Sequence, residues 1–297
     1  MRAGADMRAQ PHCVWSVAAQ LGEGPIWMAA EQSLWFVDIK EQHIHRYQAD
    51  TGQTQTWHAP AQPGFIMPMT GNEFIVGLKT GLHYFYPQRH DFTLLTQVEP
   101  ALPNNRLNDA CVDARGRLWF GSMDDGEQLQ TGNLYRLDAN GMPLLHDTDY
   151  CITNGPAISP DGATLYHTDT LARCIHAFDL SADGRISNKR LFTSITTNDG
   201  YPDGPVVDSE GCVWTGLYGG WGLLRFSPQG ELIDRIDLPC ANVTKAAFGG
   251  ADLRTLYITT AWKGLNAEQR AQQPLAGGLF AVRVRTPGLP QYEVQLD

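Results

Sequence analysis

The chain has 297 residues, 42% of them hydrophobic, enough to bury one large core or two ordinary ones. Its formal net charge is -10 and it carries no cluster of Lys and Arg, which argues against nucleic acid or an anionic membrane as partner and suits a neutral small molecule. The six cysteines (Cys13, Cys111, Cys151, Cys174, Cys212, Cys240) include no Cys-x-x-Cys pair, so neither a zinc ribbon nor a redox motif is written and the thiols read as those of a reducing cell.

The first ten residues lack an apolar signal core, and no run of about 18 apolar residues follows. The expectation is a cytoplasmic protein with a flexible segment over 1–11 and one domain over 12–297.

From there a phrase recurs along the chain: a small polar loop, then about a dozen residues later an aromatic strand that ends in a turn. It is clearest from Asn108 to Gly121, where Asp113-x-x-Gly116 makes a tight turn and Arg117-Leu-Trp-Phe120 restarts an extended run. The aromatic anchors are Trp35, Phe74, Trp119, Tyr166, Trp214 and Tyr257. They are spaced by roughly 40 to 48 residues, the range of a propeller blade or a solenoid unit. Each anchor is followed by a second alternating strand, such as His43–Tyr47, Asn133–Leu137 or Cys174–Phe178, rich in aromatic and β-branched residues and closed by Gly, Pro or Asp. Sheets that cannot cover both faces alone close into a ring. The reading is all-β, a six-bladed β-propeller with a central metal site, with His12–Val17 supplying the outer strand of the last blade. Two stretches break the rhythm, Asp124–Gly132 and Gly264–Pro274, and loops of this kind border sites.

The leading polar residue keeps nearly constant phase. Glu23 lies 12 before Trp35, Asn108 11 before Trp119, Asn154 12 before Tyr166 and Asp203 11 before Trp214. Equivalent phase in a closed ring means equivalent position, so four oxygen-bearing side chains converge on one channel mouth. Lys245 has the matching phase in the last copy, and Pro63-Gly64-Phe65 of the second offers no ligand. Carboxylates and amides gathered in this way suit a hard divalent cation, whereas Asn-Gly or Asp-Gly taken singly is more often just a turn. Neither His43/His45 nor His167/His176 completes a ligand-spaced cluster, and Trp221 beside Gly219-Gly220 reads as blade packing rather than a sugar platform. No Gly-x-Ser-x-Gly elbow or phosphate-binding Gly-rich loop is present.

Leu21-Gly-Glu-Gly-Pro-Ile-Trp27, Asn105-Arg-Leu-Asn-Asp109, Ile152-Thr-Asn-Gly-Pro156, Tyr201-Pro-Asp-Gly-Pro205 and Phe248-Gly-Gly250 together resemble the regucalcin/gluconolactonase (senescence marker protein) family. Trp35–Lys40, Val76–Gly81, Leu118–Asp125 and Tyr166–Thr170 are similar to its bacterial sugar lactonases, xylonolactonases first and arabinonolactonases next. The resemblance implies one divalent cation (Fe²⁺, Ca²⁺, Zn²⁺, Mn²⁺ or Mg²⁺) on Glu23, Asn154 and Asp203, with Arg106 and Asn108 contacting sugar hydroxyls. It also implies an acid after Gly121-Ser122-Met123, for which Asp124, Asp125 and Glu127 are the candidates. The expected activity is hydrolysis of an aldonolactone, D-xylonolactone first, with Asp203 handling the proton. L-arabinonolactone or gluconolactone is the alternative substrate, and a calcium-binding protein without catalysis is the alternative class. No obligate protein partner is expected.

Overall fold

The structure is a computed structural model and describes residues 10–71 and 73–296. The expected flexible segment 1–11 lies outside these residues except for its last two.

Six four-stranded antiparallel sheets form the blades. Their innermost strands are Gly22–Met28, Pro63–Met69, Asn105–Val112, Thr153–Ile158, Tyr201–Val207 and Asn242–Gly249, which open blades 1 to 6 in chain order. Consecutive innermost strands touch, and the first touches the last, so the blades close a ring in which blade 3 faces blade 6. Closure uses the N-terminal strand His12–Trp15, which pairs with Leu279–Arg283 as the outermost strand of blade 6 (His12 opposite Ala281, Cys13 opposite Phe280).

Burial falls off from the axis. Every residue of Asn242–Gly249 is buried, whereas Ile186–Ser194 and Leu232–Asp237 on the rim are largely open. An inner strand has a neighbouring blade against each face, so its polar side chains can only point into the channel or into one another.

The recurring phrase is a local hydrogen-bonding device. Asp208 Oδ1 accepts from the amides of Glu210 and Cys212 (both 3.0 Å), while Oδ2 accepts from the Trp214 indole at 2.9 Å and Arg225 Nη2 at 2.7 Å. Asp113 repeats this toward Arg115, Arg117 and the Trp119 indole (2.9, 3.1 and 3.2 Å). The turn therefore satisfies the one polar atom of Trp119 and of Trp214, while the Trp35 indole donates to Ser33 Oγ (3.2 Å). The same wiring accounts for the close grouping of Asp208, Glu210 and Cys212. The Asp208 oxygens there serve amides, an indole and a guanidinium, which leaves no role for a cation.

Beyond blade 6 the chain crosses the far end of the channel. Gly288 N bonds Leu253 O (2.8 Å), Val294 N bonds Pro68 O (2.8 Å) and Gln295 N bonds Gly116 O (2.9 Å), tying together blades 6, 2 and 3. No described helix is long and apolar enough to cross a membrane.

Replacing Asp208 by Ala leaves the indole and two amides without their partner, while Arg225 keeps Glu210 and Thr286. An unsatisfied buried donor costs about 1–3 kcal/mol, so calorimetry should show a thermal midpoint lowered by roughly 10 °C. A midpoint within a degree of wild type would remove the turn from its place in blade stability.

Candidate functional site: an oxygen-lined pocket at the channel mouth

All six innermost strands carry a bulge toward the mouth, at nearly one level in five of them and at the very start of the strand in blade 2. Between Glu23 (opposite Val37) and Ile26 (opposite Trp35) the inner strand spends one residue more than its partner. The same happens between Leu107 and Ala110, Asn154 and Ala157, Pro202 and Pro205, Val243 and Ala246, and Pro63 and Phe65. A bulge re-aims side chains away from the alternation of the ladder.

Counting three residues back from the partner of each anchor defines one ring of positions: Glu23, Phe65, Asn108, Asn154, Asp203 and Thr244. Lys245, which sequence phase assigns to this ring, sits one residue deeper. The inner turn of blade 6 is longer, with ten residues from Ala247 to its partner Tyr257 against nine from Ile26 to Trp35. At the deeper level Lys245 reaches across the axis to Asp109 of the opposite blade in a buried ion pair. Gly204 makes room for it, since a Cβ there would lie 2.6 Å from Lys245 Cδ and 2.9 Å from Asp109 Oδ2.

Above this pair opens a cavity of about 290 Å³ whose wall contains Glu23, Arg106, Asn108, Asn154 and Asp203. The five residues singled out in the sequence come together there, all of them buried. Thr170 and Tyr218 complete the wall together with Met123, and each lies four residues past its anchor, a regularity that would have found them from sequence. Lys263 has no such signal.

A directional chain of hydrogen bonds fixes the amides. Arg106 has only donors, so the atom of Asn108 that its Nη1 holds at 2.6 Å is Oδ1. Asn108 Nδ2 then donates to Thr153 O (2.5 Å) and Asn154 Oδ1 (3.0 Å). Asn154 Nδ2 donates to Thr170 Oγ1, which donates on to Pro202 O, both at 2.9 Å. The oxygen of Asn154 accepts one hydrogen bond and keeps a lone pair for a ligand in the cavity its side chain lines. Arg106 is held in turn by Asp125 (3.0 Å), and Asp125 by Lys40 (2.6 Å) and Lys79 (3.3 Å). Burial pushes the Asp125 carboxyl up, but the Lys40 hydrogen bond and the charges of Arg106, Lys40 and Lys79 outweigh it and hold it down at about 2.

Of the three acids after Met123, Asp124 is spent on the amides of Gln128 and Leu129 (2.9 and 3.0 Å) and Asp125 on its three cations. Glu127 is the one on the cavity wall, where it pairs with Lys263 from the other long loop. These two loops, which interrupt the rhythm of the sequence, therefore meet over the mouth.

Each carboxylate uses one oxygen on the amide that follows it, Glu23 Oε2 on Gly24 N (2.9 Å) and Asp203 Oδ1 on Gly204 N (2.8 Å). Burial raises the Glu23 carboxyl to about 7, with the Asp109 charge adding to it. Burial also raises Asp203, with the charge of Glu23 next. Two buried carboxyls are thus raised together, and Lys245, the lysine that acts on Glu23, is paired with Asp109. Two carboxylates and one oriented amide oxygen fit a hard divalent cation with room left for other ligands.

Fold and pocket define a six-bladed propeller with an oxygen-lined cavity at one mouth of its channel. The chain belongs to the SMP-30/Gluconolactonase/LRE-like region family, whose sequence model matches residues 21–262. It is 35% identical over 277 residues to the 6-deoxy-6-sulfogluconolactonase of Pseudomonas putida, covering 93% of this chain and 95% of that one. It is also 35% identical over 273 residues to the L-arabinolactonase of Azospirillum brasilense, with 91% and 90% covered. Among solved structures, the calcium-binding protein regucalcin of Agrobacterium tumefaciens superposes with a TM-score of 0.93 at 26% identity, over 97% of this chain and 98% of that one.

The paired acids set a pH signature. Their folded pKa values lie above the ordinary 4.3 and 3.9, so between about pH 4 and 7 the folded state binds more protons than the unfolded one, and stability falls as pH rises through that window. Chelator-treated protein should lose thermal stability on this account, by on the order of 3 kcal/mol for Glu23 alone. Buried histidines such as His45 and His167, both held down to about 3, act in the opposite sense. The decisive comparison is therefore with Glu23→Gln, which should flatten the fall, and with added divalent cation, which should raise the midpoint more at pH 8 than at pH 5. An equal cation effect at both pH values would contradict the shared-proton pair.

Proposed function

We propose that the protein is a divalent-cation-dependent sugar lactonase that hydrolyses an aldonolactone to the aldonate. The observation that carries this reading is the convergence of Glu23, Asn154 and Asp203 on one cavity with Arg106 and Asn108 beside them. D-xylonolactone is the first substrate proposed, on the motifs shared with xylonolactonases, with L-arabinonolactone and gluconolactone next. A cavity of about 290 Å³ lies at the small end of ligand sites and suits one sugar ring.

Glu23, Asn154 and Asp203 would hold the cation, which when bound supplies Lewis-acid polarisation of the lactone carbonyl. Arg106 and the amide of Asn108 line the wall where they can orient sugar hydroxyls, and Arg106 Nη2 makes no hydrogen bond among the described residues. Asp203, through the oxygen not bound to Gly204, takes a proton from the attacking water. The new C–O bond forms from that water, the ring C–O bond breaks, and Asp203 returns the proton to the departing ring oxygen. Glu127 and Lys263 stand at the mouth and limit access of further water.

Glu23→Gln should abolish turnover above the spontaneous rate with the fold retained by circular dichroism. Asp203→Ala should lose turnover and cation affinity together. Arg106→Ala removes a charged donor worth roughly 1.5–3 kcal/mol, a drop of about ten- to a hundredfold in kcat/KM. Because Arg106 orients Asn108 and through it Asn154, cation affinity should also fall in this variant, though less than in Asp203→Ala. Acid release measured on pento- and hexonolactones, with and without chelator and alongside metal analysis, provides the check. Near-normal turnover in Asp203→Ala, or chelator-insensitive hydrolysis, would rule the assignment out.

A further inference from the structure

A second concavity of about 480 Å³ runs outward from the pocket along the same mouth. Tyr201, Tyr218 and Lys263 belong to the walls of both, so the two concavities adjoin. Its floor contains Trp221, and here the blade-packing expectation fails. The indole is 44% exposed, although few side chains gain more from burial. Its backbone is left-handed, with φ 62, as are Gln42 (φ 55) and Arg173 (φ 57) at the same place before the third strands of blades 1 and 4, so this conformation belongs to the blade turn. The turn is pinned by Trp221 N to Ala241 O (3.1 Å) and Leu238 N to Trp221 O (2.8 Å). A large ring is thus held beside the groove with much of its face open to solvent, by a turn that the blade repeat fixes, and an exposed aromatic face in a concavity is a ligand platform.

The surroundings narrow the ligand class. Thr197, Asn198 and Gln269 bring uncharged hydroxyl and amide groups to the groove. Both cations facing it are engaged: Arg173 lies 3.6 Å over the Tyr201 ring and donates to Gly200 O, and Lys263 is paired with Glu127. An anionic substituent would have to displace these contacts. A flat apolar face rimmed by amides and hydroxyls instead complements a sugar ring, whose C–H face stacks on indole while its hydroxyls exchange hydrogen bonds with the rim.

We propose that this groove is a glycosyl subsite and that the lactones taken by the pocket include aldobionolactones. The inference rests on the lactonase reading of the pocket. The lactone ring lies over Glu23, Asn154 and Asp203, and the second sugar unit stacks on Trp221. The chemistry is unchanged: water adds to the lactone carbonyl, the ring ester bond opens and the glycosidic bond stays intact, giving an aldobionate.

Cellobiono-1,5-lactone and D-glucono-1,5-lactone differ only by the glucosyl unit and form the test pair. Wild type should hydrolyse the disaccharide lactone with kcat/KM at least equal to that of gluconolactone. Trp221→Ala should lower the disaccharide value roughly five- to tenfold, mainly through KM, and leave gluconolactone unchanged, while Trp221→Phe should recover most of the loss. Cellobionate, which cannot be hydrolysed further here, should quench tryptophan fluorescence in wild type and not in Trp221→Ala. That quench would support the subsite even if neither lactone were turned over, in which case the lactonase reading alone fails. Wild type turning over gluconolactone but at least tenfold less effective on the disaccharide lactone would overturn the proposal, as would equal losses on both substrates in Trp221→Ala. A change in oligomeric state on Trp221→Ala without a change in disaccharide kinetics would assign the ring to a second copy of the chain and also overturn it.

Discussion

In a closed ring of blades the innermost strands have a neighbour on each face, and a ladder in unbroken register would aim every second side chain into that neighbour. The extra residue that each of these strands inserts toward the mouth releases the backbone from the alternation and lets side chains point along the channel. The pocket depends on this constraint. Without it Glu23, Asn108, Asn154 and Asp203 would be buried polar groups lacking a common space, each with the desolvation cost of its burial and nothing to offset it.

Blades 3 and 6, on opposite sides of the ring, are joined twice across the channel. Below the pocket Lys245 meets Asp109, and above it Lys263 meets Glu127. The two pairs differ in environment. The lower one is buried, and Asp109 also accepts from the amides of Ala110 and Gly155 (both 2.8 Å), so it is rigid and fully used. The upper one is about a third exposed on each side, where screening makes an ion pair weak and easily parted. The lower pair also removes the nearest cation from the reach of Glu23 and Asp203. Burial and the neighbouring acid charges outweigh what Lys245 still contributes, so both carboxyls are raised.

Order in the polar network runs one way. The only-donor character of Arg106 determines which atom of Asn108 it holds, Asn108 determines Asn154, and Thr170 closes the chain on a carbonyl. Residues that never touch the carboxylates therefore decide which face of an amide is offered to the pocket. Asp125 with its two lysines, drawn from blades 1 and 2, holds the start of this chain in place.

The sequence by itself determined the number of blades and four of the six ring positions, because the aromatic anchors and the turns before them are local chemistry, most plainly the Asp-x-x-Gly turns that satisfy Trp119 and Trp214. Counting from the anchors worked wherever inner turns are of similar length, as for Glu23, Asn108, Asn154 and Asp203. It misplaced Lys245 for Thr244 in blade 6, where the turn is one residue longer and only strand pairing reveals the offset. Among Asp124, Asp125 and Glu127 the sequence had no means of choosing, since the choice rests on which carboxylates the loop backbone and distant lysines consume. Trp221 was read as packing because an aromatic beside glycines usually packs. Only the tertiary structure decided that its turn stands at the rim with no blade to cover it, since exposure is set by neighbours far away in the chain.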